Sequence, residues 1–168
     1  MDKVELRFKY TKKEFVKADR QYLFASKTLT KLGVVVILGY LLLSVLYLFF
    51  SAFDAPSIIF FMIALFFALA LFLLYFFKAS FAFNRTAKYH EEYYLAFSEG
   101  GIEFRTPTVD SSLKWDIFTE FWESGDFYFM ILTKHTYTPI PKRAFENPAL
   151  KQNFEEIALL HLKCTKRF

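Results

Sequence analysis

From Gly33 to Phe53 the chain runs twenty-one residues without a charge, and from Ile58 to Phe77 it runs another twenty. Only Asp54, Ala55, Pro56 and Ser57 separate the two runs. A helix rises ~1.5 Å per residue, so either run reaches ~30 Å, the thickness of a bilayer's hydrocarbon core. Backbone groups find no water at that depth, so each run is expected as a spanning helix and residues 33–77 as a transmembrane hairpin. The alternative is a soluble protein that buries both runs in a helical core. Two adjacent runs of this length exceed ordinary core helices.

Outside the runs the pattern is different. Val4 to Tyr10 alternates Val, Leu, Phe and Tyr with Glu, Arg and Lys, which predicts a half-buried strand. Thr11 and Glu14 are spaced as a capping box and predict a helix start. Phe15, Ala18, Tyr22, Ala25 and Leu29 then form one apolar stripe, so residues 1–32 are expected as a strand and an amphipathic helix running to about Lys31. After the second run, helix is expected to continue through Lys78 to about Tyr89.

Period-two segments follow at Glu92–Phe97, Ile102–Thr106, Ser111–Lys114, Ile117–Glu123, Phe127–Thr133 and Thr136–Ile140. Turns are expected at Ser98–Gly101, Thr106–Asp110, Ser124–Asp126 and Lys134–His135, the first carrying the glycine pair a tight hairpin favours. Asn147 before Pro148 has the form of an N-cap and first helical residue. Leu150, Phe154, Ile157 and His161 line one face of that last helix. The fold class is therefore a membrane α+β protein, with a two-helix hairpin and a small antiparallel β domain, residues 78–168, closed by a C-terminal helix. The strand at Val4–Tyr10 is expected to join the sheet, since an unpaired strand beside a bilayer would leave open backbone groups.

Charge adds a topology. Residues 1–31 hold nine Lys or Arg against four acids, and Lys78, Arg85 and Lys88 follow the second run. Short positive flanks stay in the cytoplasm, so both termini are expected there, with the Asp54–Ser57 turn on the far side of a cell membrane crossed twice. Residues 78–168 hold twelve basic and twelve acidic side chains, so the excess charge is local to the spans and does not indicate nucleic acid. The first run begins too late for a signal peptide, and no small-residue cleavage site follows it. The load of 24 Phe among 168 residues fits a membrane protein. Neither span contains Asp, Glu, Lys, Arg or His, which argues against a pump or ion pathway. Ala64 and Ala68 stand at small-xxx-small spacing, suited either to a dimer contact or to packing of the hairpin on itself.

Candidate chemistry is sparse. His90-Glu91-Glu92-Tyr93-Tyr94 lacks the second histidine of a zinc-protease motif, and His90, His135 and His161 have no ligand spacing. Asp116, Glu120 and Glu123 do not form an acid–base pair, and no Ser sits in a nucleophile elbow. Cys164 is alone, which excludes an internal disulfide, and is read as a free thiol at a helix end. No catalytic residue, metal, cofactor or small-molecule substrate is expected. Trp115 and Trp122 are expected as core or interface anchors. Lys27, Lys31 and Lys78 flank the spans and are candidates for anionic lipid contact. Lys142 and Arg143 precede the last helix and suit either an anion site or a solvated basic corner.

Phe97-Ser98-Glu99-Gly100-Gly101-Ile102, then Trp115, then Ile140-Pro141-Lys142-Arg143-Ala144-Phe145 occur in an order and spacing around the hairpin that resembles the YcxB-like family of small bacterial membrane proteins. The resemblance covers nearly the whole chain. It implies a C-terminal domain similar to pleckstrin-homology-like folds, with the first strand contributed from before the hairpin, and it carries no catalytic residue. The expected function is a membrane-anchored cytoplasmic interaction module, binding a protein partner, a second copy or an anionic head group. A small accessory subunit acting through its hairpin is the other expectation.

Overall fold

A computed structural model describes residues 3–27, 30–133 and 136–168. Leu29 of the expected stripe, and Lys134 and His135 of the expected turn, lie outside the described residues. β1 (Val4–Lys9) leads into α1 (Lys12–Ala25), whose N-cap is Thr11 with the capping box to Glu14 complete. α1 ends at Ala25, six residues before the expected Lys31. Lys27 beyond it has φ 57°, outside the helical region.

α2 (Lys31–Phe50) and α3 (Ala55–Phe76) form the hairpin. Thr30 and Asp54 cap them, each side chain accepting from a backbone N–H in the first turn. The first helix stops short of Phe53 because Ala52 and Phe53 take φ 51° and 63° in the turn. Ser44, Ser57 and Ala64 are buried where the two helices pack, so Ala64 serves the hairpin itself, while Ala68, the other member of the small-xxx-small pair, is only half-buried. The Ser44 and Ser57 hydroxyls donate to backbone carbonyls of the preceding turn, leaving no bare donor. Both helices are long and apolar enough to cross a membrane, yet only 6% and 11% of their most apolar windows are buried. Core helices of a soluble protein would be covered, and these are not.

Helix α4 (Lys78–Arg85) follows after a break, and a 3-10 turn at Ala87–His90 completes the stretch expected as one helix. The β domain then consists of β2 (Glu92–Ser98), β3 (Gly101–Arg105), β4 (Asp110–Leu113), β5 (Glu120–Glu123), β6 (Phe127–Thr133), β7 (Thr136–Pro141), α5 (Pro148–His161) and β8 (Cys164–Arg167). Trp115–Ile117 is a 3-10 turn, where the expected strand began at Ile117. One sheet has the order β1-β2-β3-β4 and is antiparallel throughout. The other has the order β7-β6-β5-β8, with β8 parallel to β5. Cys164 thus opens a strand, where a helix end was expected.

The strand joins the sheet as expected, and its partner is β2, from Val4 opposite Phe97 to Lys9 opposite Glu92. The hairpin is therefore inserted between two neighbouring strands of one sheet. The core lies between the sheets and under α5, and Phe154 is its centre. Its ring meets Phe97 at 4.7 Å, Phe145 at 5.2 Å, Tyr128 at 5.3 Å and Phe121 at 5.9 Å between centroids. A second cluster joins Ala18 and Tyr22 of α1 to Trp122, Phe127, Phe129 and Ile131. The second sheet is thus covered on both faces, which is why β6 reads as an unbroken apolar run.

Candidate functional site

Helix α1 buries one stripe of five residues: Phe15, Ala18, Asp19, Tyr22 and Leu23. Asp19 is the sole acid on that stripe and is 8% exposed. It reaches a cavity of about 540 Å³ between the edge strands β4 and β7, floored by α1 and α4. The two sheets are not bonded along this seam, so the space between them is bridged by side chains. Tyr10, Phe15, Tyr89, Tyr93, Phe104 and Tyr137 supply aromatic walls. Lys78 and Lys88, both exposed, line the same cavity from its rim.

Three of the four tyrosine hydroxyls on the cavity wall are already engaged, those of Tyr10, Tyr93 and Tyr137. Tyr10 donates to the Pro139 carbonyl, Tyr93 to the Lys88 carbonyl at 3.1 Å, and Tyr137 to Asp19 Oδ1 at 2.8 Å. Burial holds the Tyr10, Tyr93 and Tyr137 phenols above the ordinary tyrosine range, with the Asp19 carboxylate adding to the effect at Tyr137. They remain protonated near neutrality, so the cavity presents ring surface and one carboxylate and offers no proton-transfer pair. Among the described residues no cation stands within ion-pair distance of Asp19.

A second groove, about 760 Å³, runs on the opposite side of α1, between that helix and the end of α3. Lys12, Lys13, Lys17 and Arg20 line it with Tyr75, Phe76 and Ser80. Arg20 is anchored there: its guanidinium lies 4.7 Å from the Tyr75 ring centre and 5.3 Å from that of Phe76. Its Nε also donates to the Tyr75 carbonyl at 3.4 Å. Lys17 is paired with Asp126 at 2.7 Å.

The sequence candidates divide between these places. Lys31 begins α2 and Lys78 follows α3, so the hairpin brings both to its domain-bearing end, and Lys27 is exposed just before α2. Lys142 and Arg143 are committed internally. Lys142 Nζ sits 2.8 Å from Glu123 Oε1 and over the Tyr128 ring at 4.7 Å. Arg143 grips both Glu14 oxygens and donates to the Lys9 carbonyl at 2.9 Å. That contact pulls the Glu14 carboxyl down from the usual 4.5 to about 2. The expected anion site at this pair is therefore an internal clamp, since carboxylates of the same chain occupy both cations.

The remaining motif residues build the core. Phe97 and Ile102 are buried, and Ser98 accepts from the Trp115 indole at 2.8 Å through its carbonyl. Gly101 has φ 152°, and a Cβ there would stand 2.8 Å from the Leu113 carbonyl oxygen. Pro141, Ala144 and Phe145 carry the link into α5, Phe145 buried against Tyr128 and Phe154. Trp115 stacks on His161 at 4.9 Å, Trp122 packs on Tyr22, and His90 meets Phe83 edge-on. Sequence reading passed over Asp19. The available signal was an acid four residues after Phe15 on an apolar stripe.

These buried contacts give the order of the motifs a physical meaning, and the comparison with known families agrees. Residues 97–158 match the family model described as YcxB-like protein, so the chain carries a YcxB-like domain over β2 to α5. No curated protein and no solved structure matches the chain.

Proposed function

We propose that this protein is a membrane-anchored binding module. α2 and α3 cross a cell membrane, both termini and the β domain lie on the cytoplasmic side, and the basic groove of α1 meets anionic head groups. One observation carries the reading. Helices with 6% and 11% burial turn their apolar side chains outward, while Lys12, Lys13, Arg20, Lys31 and Lys78 gather at the domain-bearing end of the hairpin. Outward apolar surface of that length needs lipid. Basic flanks favour the cytoplasmic side and gain roughly 1 kcal/mol per charge near an anionic surface.

Two sheets closed by a C-terminal helix support a pleckstrin-homology-like arrangement for the β domain, a fold whose common use is recruitment at surfaces. Its first strand precedes the hairpin, so the domain is tied to the bilayer twice, through α1 and through α4. Fold alone does not specify a ligand, and the groove carries that part of the reading.

The test has two parts. A reporter fused after Phe168 is expected in the cytoplasm, and a periplasmic or extracellular reporter overturns the topology. A spin label at the exposed Lys13 is expected to sit deeper in anionic than in neutral nanodiscs. Equal depth in both overturns the head-group contact.

A further inference from the structure

The cavity between β4 and β7 holds opposite charges at different depths. Asp19 is 8% exposed, whereas Lys78 and Lys88 are exposed at the rim. A carboxylate removed from water is costly unless it is paired. Asp19 receives one hydrogen bond, from Tyr137, and among the described residues it has no cationic partner within ion-pair distance. The ring surfaces around it attract positive charge, because the face of an aromatic ring is its negative pole. The hydroxyls of Tyr10, Tyr93 and Tyr137 are occupied by the Pro139 carbonyl, the Lys88 carbonyl and Asp19 itself, which leaves the Tyr89 hydroxyl as the one cavity phenol open to a ligand among the described residues. The inner end is therefore suited to an ammonium group.

The rim is suited to an anion. Among the described residues, neither Lys78 nor Lys88 makes an ion pair, and Lys88 Nζ rests 5.6 Å from the Phe104 ring centre on the cavity wall. A single ligand carrying both an ammonium and a phosphate would compensate the two ends of this one cavity. The volume of about 540 Å³, its largely apolar walls and its few polar groups match ordinary ligand sites. Lys78 directly follows α3, so the rim opens beside the point where the hairpin meets the domain.

We infer that this cavity binds an ammonium–phosphate zwitterion, with the ammonium against Asp19 and the tyrosine rings and the phosphate between Lys78 and Lys88. The chemistry is shared by zwitterionic phospholipid head groups and by the free phosphorylated amino alcohol. The inference goes beyond the anionic contact proposed for α1, uses a different face of that helix, and rests on the membrane reading only for the lipid source.

The full chain in detergent is titrated with phosphocholine, phosphoethanolamine, ethanolamine and inorganic phosphate, with binding read by calorimetry. At least one joined compound is expected to bind tenfold or more tightly than either fragment. Asp19→Asn keeps the size of the side chain and an acceptor for Tyr137, and is expected to weaken the joined compound about tenfold while leaving inorganic phosphate unchanged. Lys78→Gln combined with Lys88→Gln is expected to weaken phosphocholine, phosphoethanolamine and inorganic phosphate alike and provides the test if Asp19→Asn fails to fold. Joined compounds that bind no better than inorganic phosphate, or binding unmoved by every variant that folds, overturn the inference. Fluorotyrosine spectra in nanodiscs then separate the sources. A cavity resonance that moves with zwitterionic but not anionic lipid supports the membrane head group, and one that moves only with the free compound supports the soluble ligand. Failure of all binding leaves the reporter result for the hairpin untouched, so the two readings fail separately.

Discussion

The hairpin and the β domain use the same aromatic and aliphatic residues turned in opposite directions. Phe66 of α3 is 67% exposed, while Phe154 of α5 is fully buried among four other rings. A spanning helix satisfies its own backbone, so apolar composition and length suffice to make it, and its side chains need no particular neighbours. The β domain gains its stability from inside, where a ring that loses its partners leaves a cavity. Substitutions should therefore act according to neighbourhood and not according to hydrophobicity.

The sharpest contrast is Phe154→Ala against Phe66→Leu. The first should cost the β domain about 3–5 kcal/mol, measured by denaturant unfolding of the full chain in detergent. Phe66→Leu should leave the same transition within ~0.5 kcal/mol. Comparable losses at the two sites would break the comparison. Gly101→Ala comes next, with an expected cost of about 1–3 kcal/mol, because φ 152° and the Leu113 carbonyl at 2.8 Å leave no room for a Cβ. An unchanged unfolding midpoint would mean that the β2–β3 turn relaxes without strain.

The smallest effect tests how the two regions are fastened. Arg143 joins the link before α5 to Glu14 at the start of α1 and to the end of β1. Arg143 is half exposed, so Arg143→Gln should cost only about 1 kcal/mol at neutral pH. The folded Glu14 carboxyl titrates near 2 against an ordinary 4.5. A depressed carboxyl contributes stability above its unfolded value and loses it as pH falls from about 4.5 towards 2. The native protein should therefore lose stability more steeply than Arg143→Gln across that window. Parallel pH profiles would show that the clamp contributes nothing.

Much of the local structure was legible because its causes are local. The Thr11–Glu14 box, the Asn147–Pro148 start and the Gly101 turn each need only a few adjacent residues. That β1 joins the sheet also followed from alternation, since only a sheet satisfies such a strand, whereas its place beside β2 came from the fold. β8 was missed for the converse reason. Cys164–Arg167 is four residues long with little apolar content, and only the parallel contact with β5 makes it a strand. The end of α1 at Ala25 was also missed, because the apolar stripe continues in the sequence beyond the last described turn.

The chain by itself determined the two apolar helices, the flanking cations, the alternating strands and the short motifs of the YcxB-like segment. Helix periodicity, strand periodicity and turn chemistry act over a few residues and are written in their order. Tertiary structure alone decided which charges remain available. It paired Lys142 with Glu123 and Arg143 with Glu14, removing both from an anion site, and it carried Asp19 into a cavity with no described cation at ion-pair distance while leaving Lys78 and Lys88 at the rim. Electrostatic strength depends on distance and burial, and residues on different elements, as far apart as Glu14 and Arg143, acquire both only when the sheets and helices pack.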